Sequence, residues 1–155
     1  MFDELSLHIL DIAMNSIAAK AHTIEIGVLE SRRRDRLVLR VRDDGRGMDA
    51  ATLDKVLNRS ITTKSSRKKN IGLGLALLRQ TAEMCDGHFQ VRSASGQGTQ
   101  VTASMRLSHI DRPPLGDISA TILSLCAASA ETDVRLRYRT DTDEFRFGSK
   151  ELNQE

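Results

Sequence analysis

The sequence predicts an α/β sandwich, an α+β arrangement of one mixed, largely antiparallel sheet covered by helices on one face. Three observations predict it. Apolar residues recur near helical spacing over 3–20, 74–85 and 117–130. Period-two alternation marks several short segments rich in Val, Ile and Thr. The two kinds of pattern follow one another as helix, two strands, helix, helix, two strands, then helix and hairpin. Strands that come in adjacent pairs, with helices between the pairs, fit a sheet with one helical layer.

The first helix places Leu5, Ile9, Ile12, Ala13 and Ile17 on one face. The strand Thr23 to Leu29 (TIEIGVL) alternates Ile24, Ile26 and Val28, and the strand RLVLRVR, 36–42, follows after the hairpin loop ESRRRD. The loop RDDGRGMD leads into a short helix from Asp49 to Leu57. Residues 58–71 are polar, basic and aperiodic, a long loop of the kind that is functional or mobile in compact domains. A strong helix runs from Gly74 to about Cys85, with Gly87 expected to cap its end. The strands HFQVRSA and TQVTASMRL are joined by SGQG, and HIDRPPLG, with both prolines, is a connector. Asp117 is placed to N-cap the helix 117–130, whose stripe of Ile118, Ile122, Leu125 and Cys126 is expected to pack on the domain itself. The final hairpin, 134–147, turns Val134, Leu136 and Tyr138 one way and Arg135, Arg137 and Arg139 the other. These patterns divide the chain into a main unit, 1–107, and an extension, 108–155, packed on the same domain.

Composition narrows the function classes. With 155 residues the chain is long enough for one full core. Aromatics make up only 3%, which argues against a base-stacking nucleic-acid surface. A net charge of +2 gives no global pull toward nucleic acid or an anionic membrane, and Arg32, Arg33 and Arg34 read as a solvated turn. Cys85 and Cys126 lack the spacing of a metal site and read as reduced, buried thiols. No apolar run approaches the roughly 20 residues of a membrane span, and the N-terminus lacks a basic leader, so a cytoplasmic location is expected.

Four features carry the chemistry. Asp11 and Asn15, four apart on the first helix, put a carboxylate and a carboxamide on one face. Together they can hold a hard cation such as Mg²⁺, and the carboxylate can orient a water. Asp43, at a strand end, can accept from an exocyclic amine, while Gly45 and Gly47 let the backbone approach a flat ring. Lys64 lies in a loop of hydroxyls and cations, TTKSSRKK, suited to polyphosphate. Gly72 and Gly74 open a long helix, where free backbone amides and the helix dipole favour phosphate.

In this order the set resembles the Bergerat-fold ATP-binding domain of the GHKL family of gyrases, heat-shock chaperones, histidine kinases and mismatch-repair ATPases. The resemblance covers about 1–107. LDIAMNSIAAKAHTIEI is similar to the family's N box, DDGRGMD to its G1 box, and NIGLGLALLRQ with GQGT to the histidine-kinase G2 box and final strand. The resemblance implies ATP and Mg²⁺ as cofactors. It assigns Asp43 to the adenine amine, Gly45 and Gly47 to the ring, and Thr99 to a hydroxyl contact with adenine. It assigns Asn15 to Mg²⁺, and Lys64, Gly72 and Gly74 to the phosphates. Asp44 is left as a turn or surface residue.

Where the family's hydrolases carry Glu, this chain has Asp11, one methylene shorter, as base, metal ligand or both. Slow intrinsic hydrolysis is therefore expected. No dimerisation helix pair with a phosphoacceptor His precedes residue 3, so the chain is not expected to be a complete sensor kinase. Its size is similar to the anti-sigma-factor serine kinases. Three readings stay open: a kinase or regulatory module acting on a separate protein partner in bacterial signalling, a slow ATPase switch that forms a homodimer, and a nucleotide sensor without turnover.

Overall fold

The computed structural model describes residues 4–58 and 73–152. The elements are α1 (Leu5–Ala18), β1 (Thr23–Ser31), β2 (Arg36–Asp43), α2 (Ala50–Leu57), α3 (Leu73–Met84), β3 (His88–Ser93), β4 (Thr99–Arg106), α4 (Ile118–Ala128), β5 (Asp133–Thr140), β6 (Glu144–Gly148) and the short α5 (Ser149–Leu152). The strands form one sheet in the order β3-β4-β2-β1-β5-β6. Only the β1–β5 pair is parallel, and the other four pairs are antiparallel. The sheet is therefore mixed and largely antiparallel, as the paired strand patterns predict.

The alternation in each strand decides which face is dry. Ile24, Ile26 and Val28 of β1, Leu37, Leu39 and Val41 of β2, and Val101, Ala103 and Met105 of β4 are all buried. They meet Leu5, Ile9, Ile12 and Ala13 of α1, Leu75 and Leu78 of α3, and Ile118, Ile122 and Leu125 of α4 in one core. Area-based estimates put each such buried aliphatic side chain at about 1.5–3 kcal/mol. The opposite face carries the polar members of the same strands and has no helical layer among the described residues.

The extension joins this core. β5 lies beside β1, with Ile24 opposite Val134 and Ile26 opposite Leu136. The connector ties down the start of α1, whose otherwise unpaired Leu5 and Ser6 N–H groups donate to the carbonyls of Pro114 (2.9 Å) and Leu115 (2.8 Å). The stripe expected on α4 is buried through Ile118, Ile122 and Leu125, while Cys126 is only half-buried. Among the described residues no helix is long and apolar enough to cross a membrane.

Gly87 is not the residue that reverses the chain after α3. That role falls to Asp86, which takes φ +59°. Gly87 is required for a different reason: a Cβ there would sit 1.7 Å from the Ser104 carbonyl oxygen of β4. The glycine lets two backbones touch.

Tyr138, on the core side of β5, donates its hydroxyl to Glu30 of β1. Burial, then the Glu30 hydrogen bond and charge, push the phenol up to about 12. The neutral phenol is therefore favoured in the folded chain relative to the unfolded one, where it ionises near 10. Its contribution is complete below about pH 10 and is lost as pH rises from about 10 to 12. Thermal midpoints measured across that range should fall less steeply for Tyr138→Phe than for the natural chain.

Candidate functional site

β2 runs out of the sheet at Asp43 and turns directly onto the C-terminal end of α1. Several bonds fix this junction. The Ser16 hydroxyl donates to Asp43 Oδ2 at 2.5 Å, and the Gly45 N–H donates to Asp43 Oδ1 at 2.8 Å. The Arg46 N–H donates to the Ala19 carbonyl (3.0 Å), and its guanidinium donates to the Ala18 carbonyl (3.0 Å). The last carbonyls of α1, unpaired within the helix, thus receive a cation and a backbone donor. Gly45 must be small because a Cβ would come within 2.9 Å of the Ala19 carbonyl oxygen.

The loop is held from its other side by the β3–β4 turn. Ser93 accepts from the Met48 N–H (2.8 Å), donates to the Gly98 carbonyl (3.0 Å) and lies 2.8 Å from the Thr99 hydroxyl. Gly47 has φ +70°, and a Cβ on it would stand 2.1 Å from the Ala94 carbonyl oxygen. The antiparallel register sets Thr99 directly opposite Asp43.

These elements enclose a cavity of about 230 Å³. Ile12, Val41, Met48, Leu75 and Val101 supply its apolar walls, and Asn15, Ser16, Asp43 and Thr99 its polar groups. Four residues expected from the sequence, Asn15, Asp43, Gly47 and Thr99, are therefore brought together from three separate segments. Gly45 supports Asp43 from behind. Asp11 and Gly74 lie outside this cavity's lining but are joined to each other: the Gly74 N–H donates to Asp11 Oδ2 at 2.8 Å. The carboxylate of α1 thereby caps the opening turn of α3, a favourable place for negative charge. Lys64 and Gly72 lie outside the described residues.

Asp44 also has a defined position. Its Oδ1 accepts from the N–H groups of His22 (2.7 Å) and Thr23 (3.0 Å), fixing the start of β1. Burial works to raise this carboxyl, but those two amides outweigh it and hold the group below the usual carboxylate range. It braces the loop from outside the cavity.

Ser16 is the functional-site residue that sequence reasoning missed. Its signal is weak, a buried hydroxyl next to Asn15 in an apolar helix, and its target lies 27 residues away. Ser16 is 3% exposed. Ser16→Ala should leave one carboxylate oxygen with a lost charge-assisted bond and lower stability by about 1–2 kcal/mol in urea unfolding.

The donor set suits the groups the sequence implies. A flat heteroaromatic ring fits apolar walls that end in one carboxylate and one hydroxyl. For Mg²⁺, the described residues contain no group of three His, Cys, Asp or Glu able to hold a metal ion. Asn15 and Asp11 offer a minority of the ligands, which suits a cation that keeps waters and shares substrate phosphates.

Comparison with known proteins agrees with this architecture. Residues 1–109 match the family described as histidine kinase-, DNA gyrase B- and HSP90-like ATPases. The sensor histidine kinase ZraS of Escherichia coli is 30% identical over 114 residues, which is 74% of this chain and 24% of that protein. The chain thus spans about a quarter of that relative's length. Among solved structures, the N-terminal domain of a DNA repair protein has a TM-score of 0.62 at 13% identity, covering 94% of this chain and 52% of that one. The Aquifex aeolicus MutL ATPase domain complexed with ADP has a TM-score of 0.57 at 12% identity, covering 99% and 67%. At those identities the two structures speak for the fold. The family match over most of the chain speaks for descent: this chain belongs to the histidine kinase-, DNA gyrase B- and HSP90-like ATPase family.

Proposed function

We propose that the chain binds ATP together with Mg²⁺ in the cavity between α1 and the Asp43–Asp49 loop. We propose further that it serves as a kinase-like or regulatory module on a separate protein partner in bacterial signalling. The convergence of Asn15, Asp43, Gly47 and Thr99 on one cavity carries this reading.

The roles follow from the chemistry of each group. Asp43 accepts from the exocyclic amine of adenine. Ser16 and Gly45 already donate to its two oxygens, so the carboxylate is held in one orientation before ligand arrives. Thr99 supplies a hydroxyl beside it. The apolar walls exclude water from the ring, and Gly47 lets the loop beside the cavity close onto the β3–β4 turn. Asn15, in the cavity lining, is the ligand proposed for Mg²⁺, with Asp11 one turn away. Bound there, Mg²⁺ would neutralise phosphate charge. Lys64, Gly72 and Gly74 are proposed for the phosphates. Residues 1–107 form the nucleotide unit in this reading, and 108–155 complete its sheet.

Asp11 favours slow turnover as a second reading. Its carboxylate is engaged by the Gly74 N–H, so the acidic group one turn from Asn15 on α1 is already in use. A switch that binds ATP, hydrolyses it slowly and pairs with a second copy is consistent with that arrangement, and light scattering with and without ATP distinguishes it.

Selectivity for the amine tests the central assignment. ATP should bind at least about tenfold more tightly than inosine triphosphate, which carries a carbonyl in place of the amine, because that oxygen would face a carboxylate. Equal affinity for the two nucleotides in a competition titration would refute the role given to Asp43.

A further inference from the structure

The uncovered face of the sheet is charged in a way the whole chain is not. The chain's net charge is +2. On this face, however, the strand registers align arginines in rows. Arg40 of β2, Gly27 of β1, Arg137 of β5 and Arg146 of β6 lie in one row across the strands. In the next row stand Arg92 of β3, Gln100 of β4, Arg42, Glu25 and Arg135. Arg139 opens a third, opposite Leu29. Apart from Arg36 and Arg106 at its far corner, which are engaged by Asp35 and Asp86, seven arginines share the face with three acidic residues, Glu25, Asp133 and Glu144.

The three acids do not neutralise it. Glu144 is taken by Arg137 at 2.9 Å and by Arg146, and Arg135 is held by Asp133 at 2.7 Å with Glu25 at 4.0 Å. Among the described residues, Arg40, Arg42, Arg92 and Arg139 have no ion-pair or hydrogen-bond partner of their own. Solvent reaches the paired arginines as well: the side chains of Arg135, Arg137 and Arg146 are 54%, 49% and 68% exposed.

The face also has a shape. Gly27 places no side chain between Arg40 and Arg137, and a Cβ added to it would touch only the Arg40 Cβ, at 3.7 Å. The gap forms a hollow of about 470 Å³, bordered by Arg40, Arg137, Arg139, Arg146 and Glu25. The arginines of β2 and β5 that flank Gly27 stand two strand spacings apart, roughly 10 Å, wide enough for one extended chain along β1.

We propose that this face is a docking surface for an extended acidic segment of a partner protein, which lies along β1 over Gly27 and places carboxylates against the arginines of β2 and β5 on either side. Charge complementarity selects the occupant. Arginine forks match carboxylates bidentately, and no lysine stands among them. Glu25 and Glu144 break the positive field into a pattern. A patterned field suits a protein segment with spaced acids better than a uniform phosphate backbone. Tyr138, Phe145 and Phe147 belong to the helix side of their strands, so no aromatic platform is offered to nucleobases. No apolar side chain larger than Leu29 or Val38 projects here, which leaves little to insert into a bilayer. The surface lies on the opposite side of the sheet from the nucleotide cavity, so the proposal does not depend on that reading.

The test is fluorescence anisotropy at low salt with a labelled peptide of alternating Glu and Ser. Arg40→Glu combined with Arg139→Glu should weaken binding at least about tenfold. Gly27→Phe, which fills the hollow without changing charge, should weaken it to a similar extent. Both variants should keep the natural chain's circular dichroism and its response to ATP. If the charge reversals disturb folding, Arg40→Gln with Arg139→Gln asks the same question more gently. Failure of the peptide to bind, equal binding by the folded variants, or tighter binding of duplex DNA or of anionic phosphatidylserine vesicles would each overturn the proposal.

Discussion

Asp43→Asn is expected to lower ATP affinity by about 100-fold while leaving a folded protein. The magnitude follows from the donors around the side chain. Gly45 N–H and Ser16 O–H each point at one carboxylate oxygen. An amide placed there must turn its NH₂ away from the Gly45 N–H, because two donors would otherwise face each other. Its NH₂ then lies beside Ser16, whose hydroxyl can rotate to accept. The oxygen left toward the cavity has lost its charge, or the NH₂ group meets the amine of adenine as donor against donor. Loss of a hydrogen bond to a charged acceptor, with part of its desolvation uncompensated, is worth about 2–3 kcal/mol. At 1.4 kcal/mol per tenfold, that is about 30- to 150-fold in affinity. Calorimetric titration measures it, and unchanged circular dichroism shows that the fold is retained.

Gly47→Ala should be among the most damaging single methyls at the described positions. Two penalties combine. An alanine at φ +70° costs about 1–2 kcal/mol in backbone strain. Its Cβ would also stand 2.1 Å from the Ala94 carbonyl oxygen and 2.9 Å from that of Gly98. Both are backbone atoms of the β3–β4 turn, so no rotamer change can relieve the overlap, and the loop itself must move. Destabilisation of about 3 kcal/mol or more is expected in urea unfolding, with loss of nucleotide binding because Gly47 borders the cavity. Gly96→Ala is the control. Its φ is +78°, but nothing lies within 4 Å of the added atom. It should cost only the strain, about 1–2 kcal/mol, and leave binding intact.

The parts of this molecule that were legible in the sequence are those set by local pattern. α1, β1, β2 and α3 begin and end within about two residues of their apolar periodicity, because each buries one face against the same core. The loop RDDGRGMD was legible because chemistry and conformation coincide there: Asp43 must accept and Gly47 must turn. What depends on distant contacts was not. Nothing near Asp11 in the chain indicates that its carboxylate meets the N–H of Gly74, since that contact exists only once α1 and α3 pack. Ser16 resembles any small residue in a helix until the register carries Asp43 to it. Gly87 carried the right residue type for the wrong reason, because the approach of β4 is invisible locally. The parallel pairing of β5 with β1 was likewise hidden, and with it the arginine rows. RLRYR shows which side each arginine takes, but only the sheet order places Arg137 across Gly27 from Arg40.

The most direct test of the nucleotide site is calorimetric titration of the folded chain with ATP, in the presence and absence of Mg²⁺, on the natural sequence and on Asp43→Asn. The account predicts one site per chain, tighter with Mg²⁺ than without, and about 100-fold weaker in the variant. Absence of heat from a folded sample, or an affinity that Asp43→Asn leaves unchanged, would contradict it.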